Sequence, residues 1–141
     1  MASHPRPDDP SSDGPAPELS TRPKAAQSQI DFELEFLGAV LARDPLNADV
    51  LKVHADNLAA RGHHHRALQA DLILVRLRPE RPIPWYNLAC SYALLGMSDK
   101  AFGALERALR LGYSPIAHLR RDPDLTSLRD DPRFARLLRR Y

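Results

Sequence analysis

The sequence predicts an all-α fold, a stack of antiparallel helix pairs. It should hold about two full repeats, with a leading helix before them and short C-terminal capping helices after. Three observations predict this. Apolar residues recur at three- and four-residue spacing in one segment after another, and no stretch alternates as a strand would. Glycine and proline fall where such segments should end or begin. A shift of 34 residues also lays one part of the chain on another: Leu51 on Trp85, Ala55 on Ala89, Leu58 on Tyr92, Gly62 on Gly96, Ala67 on Ala101 and Leu77 on Leu111. A helix-turn-helix unit repeating at that period marks a repeat architecture.

Taken in order, residues 1–26 are rich in Pro, Ser and Asp and carry almost no apolar side chain apart from Leu19. Such a segment cannot bury enough surface to offset the entropy of ordering, so it reads as a disordered tail. A proline-rich ligand for a partner domain is its functional alternative. The helical domain spans 27–141. Its leading helix starts near Gln29, where Ile30, Leu34, Leu37 and Leu41 share a face, with Phe36 and Val40 beside them. Asp44-Pro45 ends it, because the residue before proline avoids helical geometry.

The first repeat, 48–81, holds a helix capped by Asn47 that runs to about Ala60 and is closed by Gly62. A second helix follows from about His65 to Leu77. The second repeat, 82–115, places Pro84 in the first turn of a helix ending near Leu95. Ser98 is the expected cap of its partner, which runs to Leu111. The remainder, 116–141, forms the cap of the array. Ser114-Pro115, Asp122-Pro123 and Asp131-Pro132 each put a capping residue before proline, and so predict three short helical pieces.

The spacing has a packing logic. Helices that approach closely need small residues where their axes cross, and Ala55, Ala67, Ala89 and Ala101 supply them. Trp85, Leu88, Tyr92 and Leu105 then fill the flanking space. One pair leaves an apolar face uncovered, so pairs stack.

Composition narrows the function classes. A length of 141 residues and a hydrophobic fraction of 43% suit one domain plus a tail, without disulfides or metal. The formal charge of +2 calls for neither nucleic acid nor an anionic membrane. The single cysteine, Cys90, cannot form an internal disulfide, and nothing suggests an oxidising compartment. The start of the chain does not read as a signal peptide, and no stretch approaches a membrane span. A cytoplasmic location is the default expectation.

The stretch from Trp85 to Gly96, Trp-Tyr-Asn-Leu-Ala-Cys-Ser-Tyr-Ala-Leu-Leu-Gly, resembles the first helix of a bacterial tetratricopeptide repeat, and Ala101, Leu105 and Ala108 match its second helix. Gly112-Tyr113, the run from His118 to Leu125 and the run from Leu128 to Phe134 resemble the segment that closes such arrays. The likeness covers residues 30–141 and is stronger in the second repeat than in the first. It implies a right-handed stack of the helix pairs and a protein-binding role, with the first helix of each pair lining a concave groove. The groove positions it implies are Lys52, Asp56, Tyr86, Asn87, Cys90 and Leu94, together with Arg121. Tyr86 is the expected anchor, on the expectation that it is exposed. One subclass grips a partner's C-terminal carboxylate, and Lys52, Asn87 and Arg121 occupy corresponding places. Asp56 and Ala117 depart from that pattern, and Asp56 would repel a carboxylate.

The first repeat departs from the pattern at two core positions. His54 stands where the second repeat has Leu88, and Asp71 stands where it has Leu105. Two readings stay open: a loosened, half-exposed end repeat, or a charge-assisted His54–Asp71 pair that would raise the histidine's pKa.

Chemistry is otherwise sparse. His63, His64 and His65 are the obvious metal candidates, but consecutive helical residues diverge by about 100°, and an exposed polar turn is the plainer reading. Cys90 reads as a small half-buried apolar residue. There is no phosphate loop and no nucleophile elbow. Arg129, Arg133, Arg136, Arg139 and Arg140 could contact phosphates, but acidic neighbours dilute them, which argues against nucleic acid. The expectation is therefore a non-enzymatic scaffold that needs no metal or cofactor and binds an unidentified protein or peptide, with no membrane partner. A chaperone for an exported protein is the alternative, and an enzyme accessory or a nucleic-acid-binding protein is a lesser one. The short array leaves room for self-association.

Overall fold

The computed structural model describes residues 24–141, and every regular element among them is helical. The expected disordered tail lies almost wholly outside the described residues. The helices are α1 (Lys24–Arg43), α2 (Ala48–Ala60), α3 (His64–Leu77), α4 (Pro82–Leu94), α5 (Ser98–Arg110) and α6 (Ile116–Arg121); a 3-10 helix (Pro123–Leu128) and α7 (Pro132–Arg140) complete the chain. Two compact units divide between Ile73 and Leu74, inside α3.

The repeat is written into the helix ends. α2 and α4 begin at 48 and 82 and end at 60 and 94, while α3 and α5 begin at 64 and 98, each offset by 34 residues. The turns share one hydrogen-bond pattern. Gly62 N–H donates to Ala59 O and His63 N–H to Leu58 O, and 34 residues on Gly96 donates to Ala93 O and Met97 to Tyr92 O. Gly62 and Gly96 have φ of 88° and 77°. A side chain is strained there, which explains why glycine recurs at that step.

In the first unit α1 packs against α2. Ile30, Leu51, Ala55 and Leu58 are buried. At the rim Arg61 Nε bonds Asp31 Oδ1 at 2.8 Å and Asn57 Nδ2 donates to Glu33 Oε1 at 3.0 Å. Asn47 caps α2 as expected, its Oδ1 accepting from Val50 N at 3.1 Å. α1 starts at Lys24, earlier than the apolar pattern implies. Phe32 and Phe36 are 63% and 57% exposed and stack at 6.3 Å, so they lie off the packed face of that helix.

In the second unit α4 packs on α5, the 3-10 helix on α4, and α7 on α5. Leu88, Ala89, Ala101, Leu105 and Ala108 form the interior of the pair, and Leu119, Leu125 and Leu128 are fully buried in the cap. Burying each such leucine is worth about 1.5–3 kcal/mol before entropy is counted. Trp85 and Tyr92 are only half-buried. They work from the edge: Trp85 Nε1 donates to Pro79 O at 2.9 Å, and the Arg107 guanidinium lies 5.3 Å over its ring.

Two expected caps are different. Met97, not Ser98, holds the N-cap position of α5, and Pro115, not Ser114, that of α6; neither makes a side-chain cap bond. Asp122 and Asp131 do cap, accepting from Asp124 N and Arg133 N.

Candidate functional site

The groove residues implied by the sequence separate into two kinds. Lys52 and Asp56 are exposed on α2 and paired with each other at 3.1 Å. Arg121 is exposed, and Asn87 and Leu94 are half-buried. Tyr86 and Cys90 are different: both are buried, Tyr86 at 5% exposure. The expectation of Tyr86 as an exposed anchor is therefore corrected.

The cause is Asp122, a residue that sequence reasoning treats only as a cap. It follows α6 and opens the 3-10 helix, and it lies buried against α4. The Tyr86 hydroxyl donates to Asp122 Oδ2. Cys90 Sγ lies 3.9 Å from the same oxygen and His118 Nε2 lies 3.3 Å from it. Asp122 Oδ1 accepts from Asp124 N at 2.9 Å, and Arg129 donates to the Asp122 carbonyl. The carboxylate thus ties the first helix of the second pair to the cap.

Aromatic rings close the cluster. Tyr86 stacks on Tyr113 with ring centres 4.1 Å apart and planes within 6°, and His118 leans on Tyr86 at 5.8 Å. Burial first, then the neighbouring Cys90 and the bond to Asp122, push the Tyr86 phenol well above its ordinary range, so it remains a donor. Burial also raises the Tyr113 phenol. Asp124 is pushed up to about 6, by burial and then by the charge of Asp122.

In the first repeat His54 and Asp71 are buried, so the half-exposed reading of these positions does not hold. The raised pKa expected for a paired His54 is not found either. Burial, and then Arg66, lower it, and its Nδ1 has no hydrogen-bond partner. His64 is also buried at the start of α3, not part of an exposed turn.

The C-terminal arginines are largely committed within the fold. Arg133 bonds Asp99 at 2.8 Å and Asp131 at 2.9 Å, and Arg140 bonds Glu106 at 3.1 Å. They line a shallow cavity of about 190 Å³ with Phe102, Glu106, Arg136 and Leu137, in which carboxylates already answer much of the positive charge.

Among the described residues no helix is long and apolar enough to cross a membrane. No family model matches the chain. Over 83 residues it is 34% identical to a chloroplastic protein of Arabidopsis thaliana, a likeness that covers 57% of this chain. The chain spans about a quarter of the length of that relative, 25%.

Proposed function

We propose that this chain is a protein-interaction module of tetratricopeptide type that binds a peptide or helix of another protein. The observation that carries the reading is the exposed, stacked Phe32–Phe36 pair on α1. Leaving two phenylalanines in water forgoes a large apolar gain, and aromatic side chains supply much of the energy of protein interfaces. The helix that bears them is held by α2 through Arg61–Asp31 and Asn57–Glu33, so the pair sits on an anchored surface. The 34-residue recurrence of helix ends and turn bonds supports the tetratricopeptide part of the reading.

The candidate contacts are taken unit by unit: Lys52 and Asp56 in the first, and Asn87, Leu94 and Arg121 in the second, whereas Tyr86 and Cys90 serve the interior. At Lys52 a partner's carboxylate would have to compete with Asp56, which lies 3.1 Å from the ammonium.

The test is quantitative capture from cells of the organism that makes the protein. It compares the full chain with the Phe32→Ser/Phe36→Ser and Lys52→Ala/Asn87→Ala variants, each checked for helix content. The aromatic variant should lose a defined partner by about tenfold or more, equivalent to ~1.4 kcal/mol. The same partners at the same yield from all three proteins would refute the reading.

A further inference from the structure

The cluster around Asp122 brings together four side chains of metal-ligating type from separate parts of the second unit. Cys90 comes from α4 and His118 from α6, while Asp122 and Asp124 come from the start of the 3-10 helix. Ligand atoms of Cys90, Asp122 and Asp124 all lie within 4.8 Å of one another. His118 Nε2 is 3.3 Å from Asp122 Oδ2, and Cys90 Sγ is 3.9 Å from that same oxygen. Bond lengths of about 2.0–2.3 Å around a tetrahedral zinc ion put its donor atoms roughly 3.3–3.5 Å apart. The His118–Asp122 spacing already matches; the Cys90, Asp122 and Asp124 atoms must draw together from within 4.8 Å, and the His118 ring, outside that mutually close group, must swing in to complete the set.

We infer that Cys90, His118, Asp122 and Asp124 form a binding site for a zinc-like divalent transition-metal ion, which would staple α4 to the C-terminal cap. The donor set selects the class of ion. A thiolate and an imidazole suit zinc or cobalt, and two carboxylates without further oxygen ligands do not build a calcium or magnesium site. Two carboxylates held side by side, one of them buried, repel each other, and a dication between them removes that repulsion. The Tyr86 hydroxyl donates to that same Asp122 Oδ2 and so fixes the orientation of the carboxylate. His118 is half-exposed, so its ring can move aside to admit the ion and then close on it. Binding releases the Cys90 thiol proton and any proton held on Asp124 to solvent, and no other bond changes.

Cys90 is the only thiol in the chain. A thiolate-to-cobalt absorption band therefore reports this site and cannot arise from the histidine run at 63–65. The experiment titrates cobalt(II) into the reduced full-length protein, then displaces it with zinc. The site predicts a near-ultraviolet thiolate band that saturates at one equivalent and is abolished by Cys90→Ser. His118→Ala and Asp124→Asn should each weaken it at least tenfold, and zinc should bleach it. No thiolate band, or a band whose affinity is unchanged in both His118→Ala and Asp124→Asn, would overturn the proposal. None of these outcomes depends on Phe32 and Phe36, so the protein-binding reading stands or falls separately.

Discussion

The two repeats share helix boundaries and turn bonds but differ in what they bury. At equivalent places the first holds His54 and Asp71, 8% and 4% exposed, and the second holds Leu88 and Leu105, 3% and 0% exposed. These positions are thus buried in both repeats whatever the polarity of the residue they carry. The second pair gains the full apolar contribution, whereas the first carries a histidine whose ionised form is disfavoured. The second unit concentrates its buried polar chemistry on Asp122, beneath the cap, where hydrogen bonds answer it.

The largest single effect that sharpens this contrast is expected at Leu105. Leu105→Ala removes a fully buried side chain from a tightly packed pair and should cost about 3 kcal/mol in urea unfolding. A cost below ~1 kcal/mol would mean that the second pair is not close-packed. Tyr86→Phe comes next. It takes one donor from the buried Asp122 carboxylate and should cost about 1.5–3 kcal/mol. An unchanged stability would show that the Asp122 hub contributes little.

Glycine changes are smaller and of opposite sign. A Cβ at Gly103 of α5 meets nothing within 4 Å, and one at Gly38 of α1 meets His54 Cε1 at 3.9 Å, an ordinary contact. Each change to alanine should stabilise by about 0.5–1 kcal/mol through helix propensity. Thermal melts check this, and a lower Tm for Gly38→Ala alone would place the strain at His54. The subtlest effect is on pH. His54 titrates below its ordinary 6.5 in the folded chain, so the unfolded chain takes up that proton first as pH falls. The stability linked to His54 is complete above about pH 6.5 and is lost as pH falls through the folded pKa. NMR titration of the His54 ring should give a midpoint below 6.5; a raised midpoint would restore the paired reading.

Much of the fold is legible in the sequence. Apolar periodicity, Asn47, Gly62, Gly96 and the Asp-Pro steps fix helix ends from local chemistry alone, and the structure follows them closely. Ser98 and Ser114 mislead because a serine near a helix start need not be the residue that caps it. The site is less legible. Analogy places Tyr86 in the groove, but its environment depends on Asp122, 36 residues later, and no local pattern encodes that contact. The exposure of Phe32 and Phe36 is hidden for a related reason. An apolar pattern shows that a helix has a buried face, but not which apolar residues remain outside it.

Reciprocal exchange of the two cores, followed by urea unfolding, tests the account most directly. His54→Leu/Asp71→Leu gives the first repeat the second's core. Its midpoint should hold or rise by the equivalent of about 1–2 kcal/mol, because two buried polar groups give way to apolar ones. Leu88→His/Leu105→Asp makes the opposite change and should lose about 4 kcal/mol or more. If both variants lose stability to a similar degree, the two repeats are not interchangeable versions of one packing scheme, and the comparison fails.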